Sequence, residues 1–307
     1  MRRIDKTDLL IMKELQKNSR LTFRKIGKKV GVSSSTVKNR IQKMQRQQII
    51  DKFVLFVEPE IFGYKTVYIV VTGMDIEENT REGDKLYGIL RLAGEISEHH
   101  VCIGQINAFG LLVKENEVEK SIGLLENQIG QSLTILGMRE SGRIFSNSKA
   151  LIQTDYRLMH FLAKNPRAKV EDIAQATGIT TKTVKRRLDK LVEDRIIAFR
   201  TVFRPEALRG YLVFYVLVNV KNGSSSKVLE RIRSGYEKYL FSEPIIQPNI
   251  IFLNLFSENI YELDSVYRKI VKASSEIEKA WLFIDIDVRL FQDWLSNELE
   301  RRLWKRR

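Results

Sequence analysis

Two stretches of this chain decide its fold. Residues 31–44 read GVSSSTVKNRIQKM, and residues 178–191 read GITTKTVKRRLDKL. In both, a glycine that tolerates the left-handed end of one helix is followed by a Ser or Thr that can cap the next helix. Val37, Ile41 and Met44 then recur at helical spacing and form one inward face. A helix, a tight turn and a second helix with a polar outer face together predict a helix-turn-helix.

The two stretches belong to a tandem repeat. Sliding the sequence by 147 positions aligns a series of identical residues in one register. The aligned identities include Thr7-Asp8 with Thr154-Asp155, Thr36-Val37-Lys38 with Thr183-Val184-Lys185, and Gly63-Tyr64 with Gly210-Tyr211. The chain therefore contains two copies of one unit, joined near residues 147–149. In the first copy, helix one is expected over about residues 7–18 with Thr7 as its cap, and helix two over about 22–30.

The second part of each unit changes periodicity. In the first copy, β-branched and aromatic residues predict strands near 66–71, 99–105, 108–113 and 134–144. Helical patterns lie near 80–92 and 118–128. This β-α-β-β-α-β order is that of the ferredoxin-like unit, and the second copy repeats it. The predicted fold class is α+β, with two winged helix-turn-helix modules and two ferredoxin-like βαββαβ modules in a tandem repeat.

These patterns give five predicted segments. The winged helix-turn-helix modules occupy residues 1–57 and 150–204, the βαββαβ modules occupy 62–146 and 209–289, and a basic amphipathic helix occupies 290–307. The strand after each helix-turn-helix is expected to form a wing or to lead out of the module. The last helix is expected either to pack on its own sheet or a sister subunit, or to supply a second phosphate contact.

Composition excludes several classes of protein. The chain has 307 residues and one cysteine, Cys102, so an internal disulfide and a stapled secreted scaffold are excluded and a reducing cytoplasm is expected. Its most apolar run, residues 211–218, is of strand length and too short to cross a bilayer. No signal peptide, membrane span or cofactor is expected, and 43% hydrophobic content argues against disorder.

The charge is concentrated at the beginning of the chain. The net charge is +14, and residues 1–50 hold 14 Lys and Arg against 3 acidic residues, which gives +11 there. Residues 154–197 hold 10 basic and 6 acidic residues, which gives +4. A basic three-helix module favours double-stranded DNA as partner, and the first module is expected to contribute more of the electrostatic affinity.

The helix-turn-helix geometry assigns candidate DNA contacts. The outward residues at the N-terminus of a recognition helix reach base edges, where Lys and Arg suit guanine and Asn suits adenine. These residues are Ser34, Ser35, Lys38 and Asn39 in the first copy, and Thr181, Lys182, Lys185 and Arg186 in the second. The residues expected at phosphates are Arg20, Thr22, Arg24, Arg40 and Lys43, and the Lys185-Arg186-Arg187 run adds Arg187.

The residues quoted above resemble the leucine-responsive regulatory protein/AsnC family of bacterial and archaeal regulators. The similar motif is Gly-hydrophobic-Ser/Thr followed by Val, Arg-Ile/Leu and Leu/Met, present as Gly31-Val32-Ser33 to Met44 and as Gly178-Ile179-Thr180 to Leu191. Asp8 and Asp155 at the start of helix one also fit. The resemblance implies a DNA-binding transcriptional regulator whose β domain dimerises and often binds an amino acid. Because this chain carries two units, it is expected to fold as a pseudo-dimer and to form a homo-oligomer.

Two candidate ligand sites and two alternative functions remain beside this interpretation. The resemblance places an amino-acid effector at the hairpin turn, where Gly104 and Asn107 are the candidates and an ordinary turn is the alternative. His99, His100 and Cys102 suggest a metal, but only His100 and Cys102 share a strand face, and two ligands do not make a usual site. The chain is interpreted as a regulator and not an enzyme. A low-specificity chromatin-architectural protein and a siroheme-decarboxylase-like enzyme on the same fold are the alternative functions.

Overall fold

The computed structural model describes residues 3–74, 80–139, 151–221 and 223–304, and it has the α+β tandem repeat that the sequence predicts. The elements of the first copy are α1 (Lys6–Lys17), α2 (Phe23–Val30), α3 (Ser34–Arg46), β1 (Ile50–Val57), β2 (Tyr64–Thr72), α4 (Arg81–Ala93), β3 (Glu95–Cys102), β4 (Ile106–Lys114), α5 (Val118–Ile129) and β5 (Leu133–Arg139). The expected junction at residues 147–149, and the part of the last predicted strand beyond residue 139, lie outside the described residues.

The second copy repeats the order of elements. Its elements are α6 (Gln153–Lys164), α7 (Val170–Thr177), α8 (Thr181–Glu193), β6 (Ile197–Phe203), β7 (Leu212–Val220), α9 (Ser225–Tyr236), β8 (Ile245–Ile246), β9 (Ile250–Ser257), α10 (Ile260–Val271) and β10 (Ile277–Leu290). A further helix, α11 (Asp293–Trp304), follows β10 and has no counterpart among the described residues of the first copy.

The first helix begins one residue before the expected cap. Asp5 caps α1: its carboxylate accepts the backbone N–H of Asp8 at 2.9 Å, and the Asp8 carboxylate accepts the N–H of Asp5 at 3.3 Å. The expectation that Thr7 caps this helix is therefore wrong, because Thr7 already lies inside α1. A pair of carboxylates at the helix N-terminus also interacts favourably with the helix dipole.

The turn between the second and third helix forms as predicted in both copies. Gly31 and Gly178 adopt the left-handed conformation, with φ of 80° and 67°, and end α2 and α7. Ser33 then accepts the N–H of Thr36 and caps α3, while Thr180 caps α8 in the same way. The prediction of a glycine C-cap followed by a hydroxyl N-cap is confirmed.

The strands that follow the two helix-turn-helix modules pair with each other. β1 and β6 form a two-stranded antiparallel ribbon in which Val54 lies opposite Arg200. Of the two expectations for these strands, the structure therefore has the second, a strand that leads out of its module. Because each strand takes its hydrogen bonds from the other copy, the ribbon ties the two modules together.

The two βαββαβ modules share one sheet. The strand order in the first is β5-β2-β4-β3 and in the second β10-β7-β9-β8, which are the same topology. β3 pairs antiparallel with β10, with Cys102 opposite Asp285, so that the described strands form an eight-stranded sheet. In each half, alternate residues of the strands pack under the two helices of that half.

The copies are interleaved through their cores. The core of the first helix-turn-helix includes Phe203 and Phe241 of the second copy. Conversely, the core of the second helix-turn-helix includes Leu55 and Phe62 of the first copy. A buried apolar side chain contributes about 1.5–3 kcal/mol relative to an exposed one, so these shared cores hold each module on the other copy.

The last helix packs inside the molecule. Trp294, Leu295 and Leu299 of α11 join the core of the second helix-turn-helix. The buried carboxylate of Glu298 accepts the hydroxyl of Tyr64 at 2.9 Å. Burial, together with this bond, raises the pKa of Tyr64 to about 12. Of the two expectations for this helix, the described part shows the packed one, while residues 305–307 lie outside the described residues.

Candidate nucleic-acid interface

The first recognition helix has a buried face and an open face. Val37, Ile41 and Met44 of α3 are buried in the module. The four residues expected at base edges are all exposed: Ser34, Ser35, Lys38 and Asn39. The hydroxyl of Ser35 lies 2.8 Å from that of the cap, Ser33, so it is positioned by the start of the helix. The N-terminal half of α3 therefore presents these four side chains to solvent.

The second recognition helix is arranged in the same way with different side chains. Val184, Leu188 and Leu191 of α8 are buried. The four outward residues expected at base edges are again exposed: Thr181, Lys182, Lys185 and Arg186. At the positions where α3 presents Ser35 and Asn39, α8 presents two cations, Lys182 and Arg186. The two helices would therefore favour different base edges.

Two arginines expected at phosphates are used inside the modules. The Arg40 guanidinium donates to Asp5 at 2.8 Å and to Asp8 at 2.7 Å. Arg187 forms the corresponding pair with Asp155, whose side chain is completely buried. Each pair joins the recognition helix to the first helix of its own module. Arg40 and Arg187 therefore have carboxylate partners within their own modules, and their contact with phosphates stays a prediction.

A third arginine, Arg20, lies between the two modules instead of on the outer surface. Its guanidinium donates to the carbonyl of Pro166 at 2.7 Å and stacks on Phe199, with 5.0 Å to the ring centroid. Arg167, its repeat counterpart, lies over Phe53 at 4.6 Å. Burial, and secondarily the charge of Arg167, lowers the pKa of Arg20. Arg20 therefore helps to fix the two modules against each other.

The other expected phosphate contacts lie on the surface of the first module. Thr22 is exposed and its hydroxyl caps α2 by accepting the N–H of Lys25. Arg24 is exposed on α2, and Lys43 is half-buried on α3. The sequence interpretation missed Lys25 and Lys28, which are exposed on α2 and enlarge the basic surface around Arg24. The run RKIGKK, free of acidic residues, is the signal that could have identified them.

The corresponding surface of the second module has the opposite charge. The repeat offset places Glu171 where the first copy has Arg24, and Asp172 where it has Lys25. Both acidic side chains are exposed on α7. Near the end of the recognition helix, Glu193 likewise replaces Arg46. The positive field is therefore carried by both modules at the N-terminus of the recognition helix, but only by the first module around it.

The two candidate effector residues at the hairpin have different surroundings in the structure. Gly104 adopts a left-handed conformation in the turn, with φ of 83°. Asn107 is buried, and its carboxamide donates to the carbonyl of Met74 at 3.1 Å and lies 3.0 Å from His99 Nε2. Its side chain is thus used within the sheet, and only the backbone of the turn remains to hold a zwitterion.

The two histidines point to opposite faces of β3. His99 is buried against Tyr87, whose hydroxyl lies 2.7 Å from His99 Nδ1, and burial lowers the pKa of His99 to about 4. His100 shares the other face with Cys102, as strand alternation predicts. His100 Nδ1 lies 2.8 Å from a carboxylate oxygen of Asp285. Among the described residues, no group of three or more His, Cys, Asp or Glu side chains is arranged to hold a metal ion.

None of the described helices is both long and apolar enough to span a bilayer.

Comparisons with known sequences support the two helix-turn-helix modules. The family model of the AsnC-type helix-turn-helix domain matches residues 4–45 and 153–192. An uncharacterised HTH-type transcriptional regulator of Pyrococcus horikoshii is 45% identical over 60 residues, which are 20% of this chain and 39% of that protein. The HTH-type transcriptional regulator Ptr1 of Methanocaldococcus jannaschii is 32% identical over 104 residues, 33% of this chain and 70% of that protein. The chain thus spans less than half of the Pyrococcus relative and about two thirds of Ptr1.

Comparison with solved structures supports the whole architecture. The crystal structure of the siroheme decarboxylase NirDL aligns with a TM-score of 0.53 and covers 97% of both chains. Only 15% of the aligned residues are identical, so this likeness concerns the fold. The same tandem arrangement of all modules therefore occurs in a solved structure.

Proposed function

Because the chain belongs to the Lrp/AsnC family of helix-turn-helix transcriptional regulators, we propose that it controls transcription by binding double-stranded DNA through both of its recognition helices. The observation that carries this proposal is the exposure of the same four positions on both α3 and α8, in a body whose modules are fixed to each other. We also propose that the protein is located in the cytoplasm, where it can reach DNA.

The joined modules make binding a two-site event. The β1–β6 ribbon and the Arg20–Pro166 contact hold the two modules within one chain. Once one recognition helix occupies its groove, the second is held near the neighbouring site at a high effective concentration. The distance between the two half-sites is then set by the protein fold, as for other dimeric helix-turn-helix proteins.

The two modules have unequal parts in this proposal. The first combines the recognition helix with the basic surface of α2 and supplies most of the salt-dependent affinity. The second presents Lys182, Lys185 and Arg186 at the recognition helix but is acidic at Glu171 and Asp172. Its binding would depend more on base contacts than on phosphate contacts, so we expect an operator with two different half-sites.

The test is a selection of binding sequences from random duplex DNA at fixed salt. A Lys38→Ala, Asn39→Ala variant is expected to lose preference in one half-site only, and a Lys185→Ala, Arg186→Ala variant in the other. Each lost bidentate contact costs about 1–3 kcal/mol of discrimination. Lys85→Ala, an exposed lysine on α4 of the β module, serves as the control and should leave both half-sites unchanged.

The same experiment separates the alternatives. Salt-sensitive binding without any enriched sequence would favour a chromatin-architectural protein. Variants that affect both half-sites equally would contradict the assignment of one helix to each half-site. Since the recognition residues are exposed in the isolated chain, a complete lack of DNA binding by the folded protein would refute the proposal.

We propose that the chain is not an enzyme, although NirDL has the same fold. His99 and His100 contact Tyr87 and Asp285 within the sheet. Incubation of the protein with siroheme, followed by chromatography of the tetrapyrrole products, tests this part. Catalytic turnover would overturn it, and unchanged siroheme is the expected result.

We also propose that the protein binds an amino-acid effector and associates with itself, as the family suggests. The backbone of the Gly104 turn is the candidate effector contact, because the Asn107 side chain is engaged elsewhere. Calorimetry with the standard amino acids tests the effector, and the absence of heat from all of them would end that part. Sedimentation of the intact protein over a range of concentrations tests the oligomer.

A further inference from the structure

A cavity of about 420 Å³ lies between the β1–β6 ribbon and the inner face of the eight-stranded sheet, and we call it the inner cavity. Its wall contains residues of both strands of the ribbon and of both halves of the sheet. A volume within roughly 300–1,000 Å³ is typical of small-molecule sites. No residue of α2, α3 or α8 lines the cavity, so the proposed DNA-binding surface does not use it.

The wall of the inner cavity is mostly apolar. Eight residues of the ribbon line it, and six of these are Val, Leu or Phe. From the sheet, Tyr68 of the first half and Phe252 of the second lie 4.8 Å apart between ring centroids. Such surfaces favour a ligand with an aromatic or branched aliphatic body. Glu243 and Ile245 line the cavity and are also exposed, so the cavity approaches the surface there, where we expect a ligand to enter.

One group of charged side chains in the wall contains an imidazole and two carboxylates. His100 Nδ1 lies 2.8 Å from a carboxylate oxygen of Asp285, and its Nε2 lies 3.9 Å from Glu98. Burial disfavours the imidazolium, but Asp285 and Glu98 outweigh it and raise the pKa of His100 well above 6.5. Glu98 makes a further interaction within the protein. All three groups are therefore engaged with other protein groups.

The remaining charges of the wall bring it close to electrical balance. Arg200 keeps its positive charge while it donates to the carbonyl of Gln16 at 2.7 Å, and it makes a further interaction within the protein. Glu243 pairs with Arg233 at 2.7 Å. Two cations, on His100 and Arg200, thus accompany the two carboxylates described above. A charged ligand of either sign would lose its hydration in this cavity without a matching surplus of opposite charge, which costs free energy.

A tyrosine in the wall offers a neutral ligand a polar contact. The carboxamide nitrogen of Asn254 donates to the hydroxyl of Tyr215 at 3.5 Å, which is a long hydrogen bond. Burial, and secondarily the charge of Asp285, raises the pKa of Tyr215 well above 10, so the hydroxyl keeps its proton. Among the described residues, the contact with Asn254 is the only hydrogen bond of this hydroxyl. Its proton is therefore available to an acceptor oxygen of a ligand.

The tyrosine and the aromatic pair lie on the same side of the sheet. Tyr215 pairs with Asn254 across β7 and β9, and Leu217, the next residue on that face of β7, pairs with Phe252. All four residues line the inner cavity. A ligand whose oxygen accepts from Tyr215 can therefore place its body against the ring of Phe252.

We propose that the inner cavity binds a small neutral ligand with an aromatic or branched aliphatic body and one carbonyl or hydroxyl oxygen. The Tyr215 hydroxyl donates to this oxygen, and the body packs against the rings of Tyr68 and Phe252. The ligand also contacts the ribbon that joins the two helix-turn-helix modules. The site differs from the hairpin turn at Gly104 both in place and in ligand chemistry, because a zwitterion is disfavoured here.

The test is isothermal titration calorimetry of the intact protein with four probes of similar shape. Acetophenone has a carbonyl, ethylbenzene has no oxygen, benzoate is an anion and benzylamine is a cation at neutral pH. We expect benzoate and benzylamine each to bind about tenfold or more weakly than acetophenone, because both must give up the hydration of a charge. In Tyr215→Phe, the affinity of acetophenone relative to that of ethylbenzene should fall by about fivefold, because the ligand carbonyl loses its donor.

Further variants locate the binding site. Ala108 lines the inner cavity, so Ala108→Phe places a ring inside it and should abolish the binding of both acetophenone and ethylbenzene. Two matched controls make the same changes elsewhere. Tyr261→Phe removes an exposed hydroxyl from α10, and Ala176→Phe adds a ring at an exposed position of α7. Neither control should change the affinity of any probe.

Several outcomes would each overturn the proposal. They are tighter binding of benzoate or benzylamine than of acetophenone, an unchanged affinity ratio in Tyr215→Phe, binding that persists in folded Ala108→Phe, and the absence of acetophenone binding. The comparison of the four probes on the unaltered protein stands even if a variant fails to fold. No DNA takes part, so the result is independent of the proposed function.

Discussion

The basic surface of α2 gives the sharpest prediction about DNA binding. Arg24, Lys25 and Lys28 are exposed, and none has an acidic partner among the described residues. We expect the triple change to Gln to weaken DNA binding and to make it less dependent on salt. The fold should persist, because the side chains removed are outside the buried core of the module.

The magnitude follows from counterion release. Each phosphate contact contributes about 0.9 to the slope of log K against log salt on B-form DNA. Three contacts therefore account for a slope of about 2.7, so between about 50 and 200 mM salt the original protein should lose about 40-fold more affinity than the variant. Fluorescence anisotropy with one labelled duplex over a salt series measures both slopes.

The second copy supplies the matched control for this prediction. Glu171→Gln, Asp172→Asn removes two negative charges at the positions equivalent to Arg24 and Lys25. Asn keeps an oxygen that can accept the N–H of Lys169, as Asp172 does at 3.3 Å. This variant should bind DNA more tightly. An unchanged slope in the triple variant, or weaker binding after the acidic residues are removed, would refute the account of unequal modules.

Four further expectations concern stability. Arg187→Gln should lower the free energy of unfolding, measured by urea titration, by about 3–5 kcal/mol, because it leaves the buried carboxylate of Asp155 without its partner. Arg40 is more exposed, so Arg40→Gln should lower the free energy of unfolding clearly less, and equal losses would contradict this. Trp294→Ala should cost about 3–5 kcal/mol because it empties a buried site, and a loss below about 1 kcal/mol would count against that packing. The neutral form of His99 stabilises the fold above pH 6.5. Up to about 3 kcal/mol of the free energy of unfolding should be lost as the pH falls from about 6.5 to about 4, and a His99→Gln variant should not show this loss. His100 acts in the opposite sense: its contribution is complete below pH 6.5 and is lost as pH rises through its raised pKa, which a His100→Gln variant should abolish.

The sequence was sufficient to predict those features of the fold that depend on residues close together in the chain. Gly31 with Ser33, and Gly178 with Thr180, determine the two turns because a left-handed glycine and a hydroxyl cap act within a few residues. The order of strands also followed from periodicity. The exposure of Lys38 agrees with the helical spacing that buries Val37 and Ile41.

The sequence patterns could not predict contacts between residues that are far apart in the chain. An arginine on a helix has the same local signature whether it faces solvent or a carboxylate. Arg40 and Arg187 were therefore expected at phosphates, although Asp8 and Asp155, 32 positions earlier, hold them. The signal was present in the repeat itself, since both members of each pair recur at the 147-residue offset.

The pairing of β1 with β6 was similarly hidden, because nothing local distinguishes a wing from a strand that pairs with the other copy. Alternating residues give a strand two faces but do not choose its neighbour. That choice comes from the crossed cores, in which Phe203 packs with the first module and Leu55 with the second. Pairing and packing thus depend on the presence of both copies, which no single window of sequence contains.

This crossed arrangement has a consequence for recognition. Each module is held by the ribbon and by a core from the other copy, so rotating one module against the other would break both of these contacts. Arg20 and Arg167 add stacked, half-buried cations at the contact between modules, where Arg20 also donates to Pro166. Because packed cores have discrete arrangements and do not deform continuously, the separation of the half-sites is a property of the fold. Inserting or deleting base pairs between the half-sites should therefore cost more affinity than the same change would for two modules on a flexible linker, and binding that tolerates every spacing would refute this view.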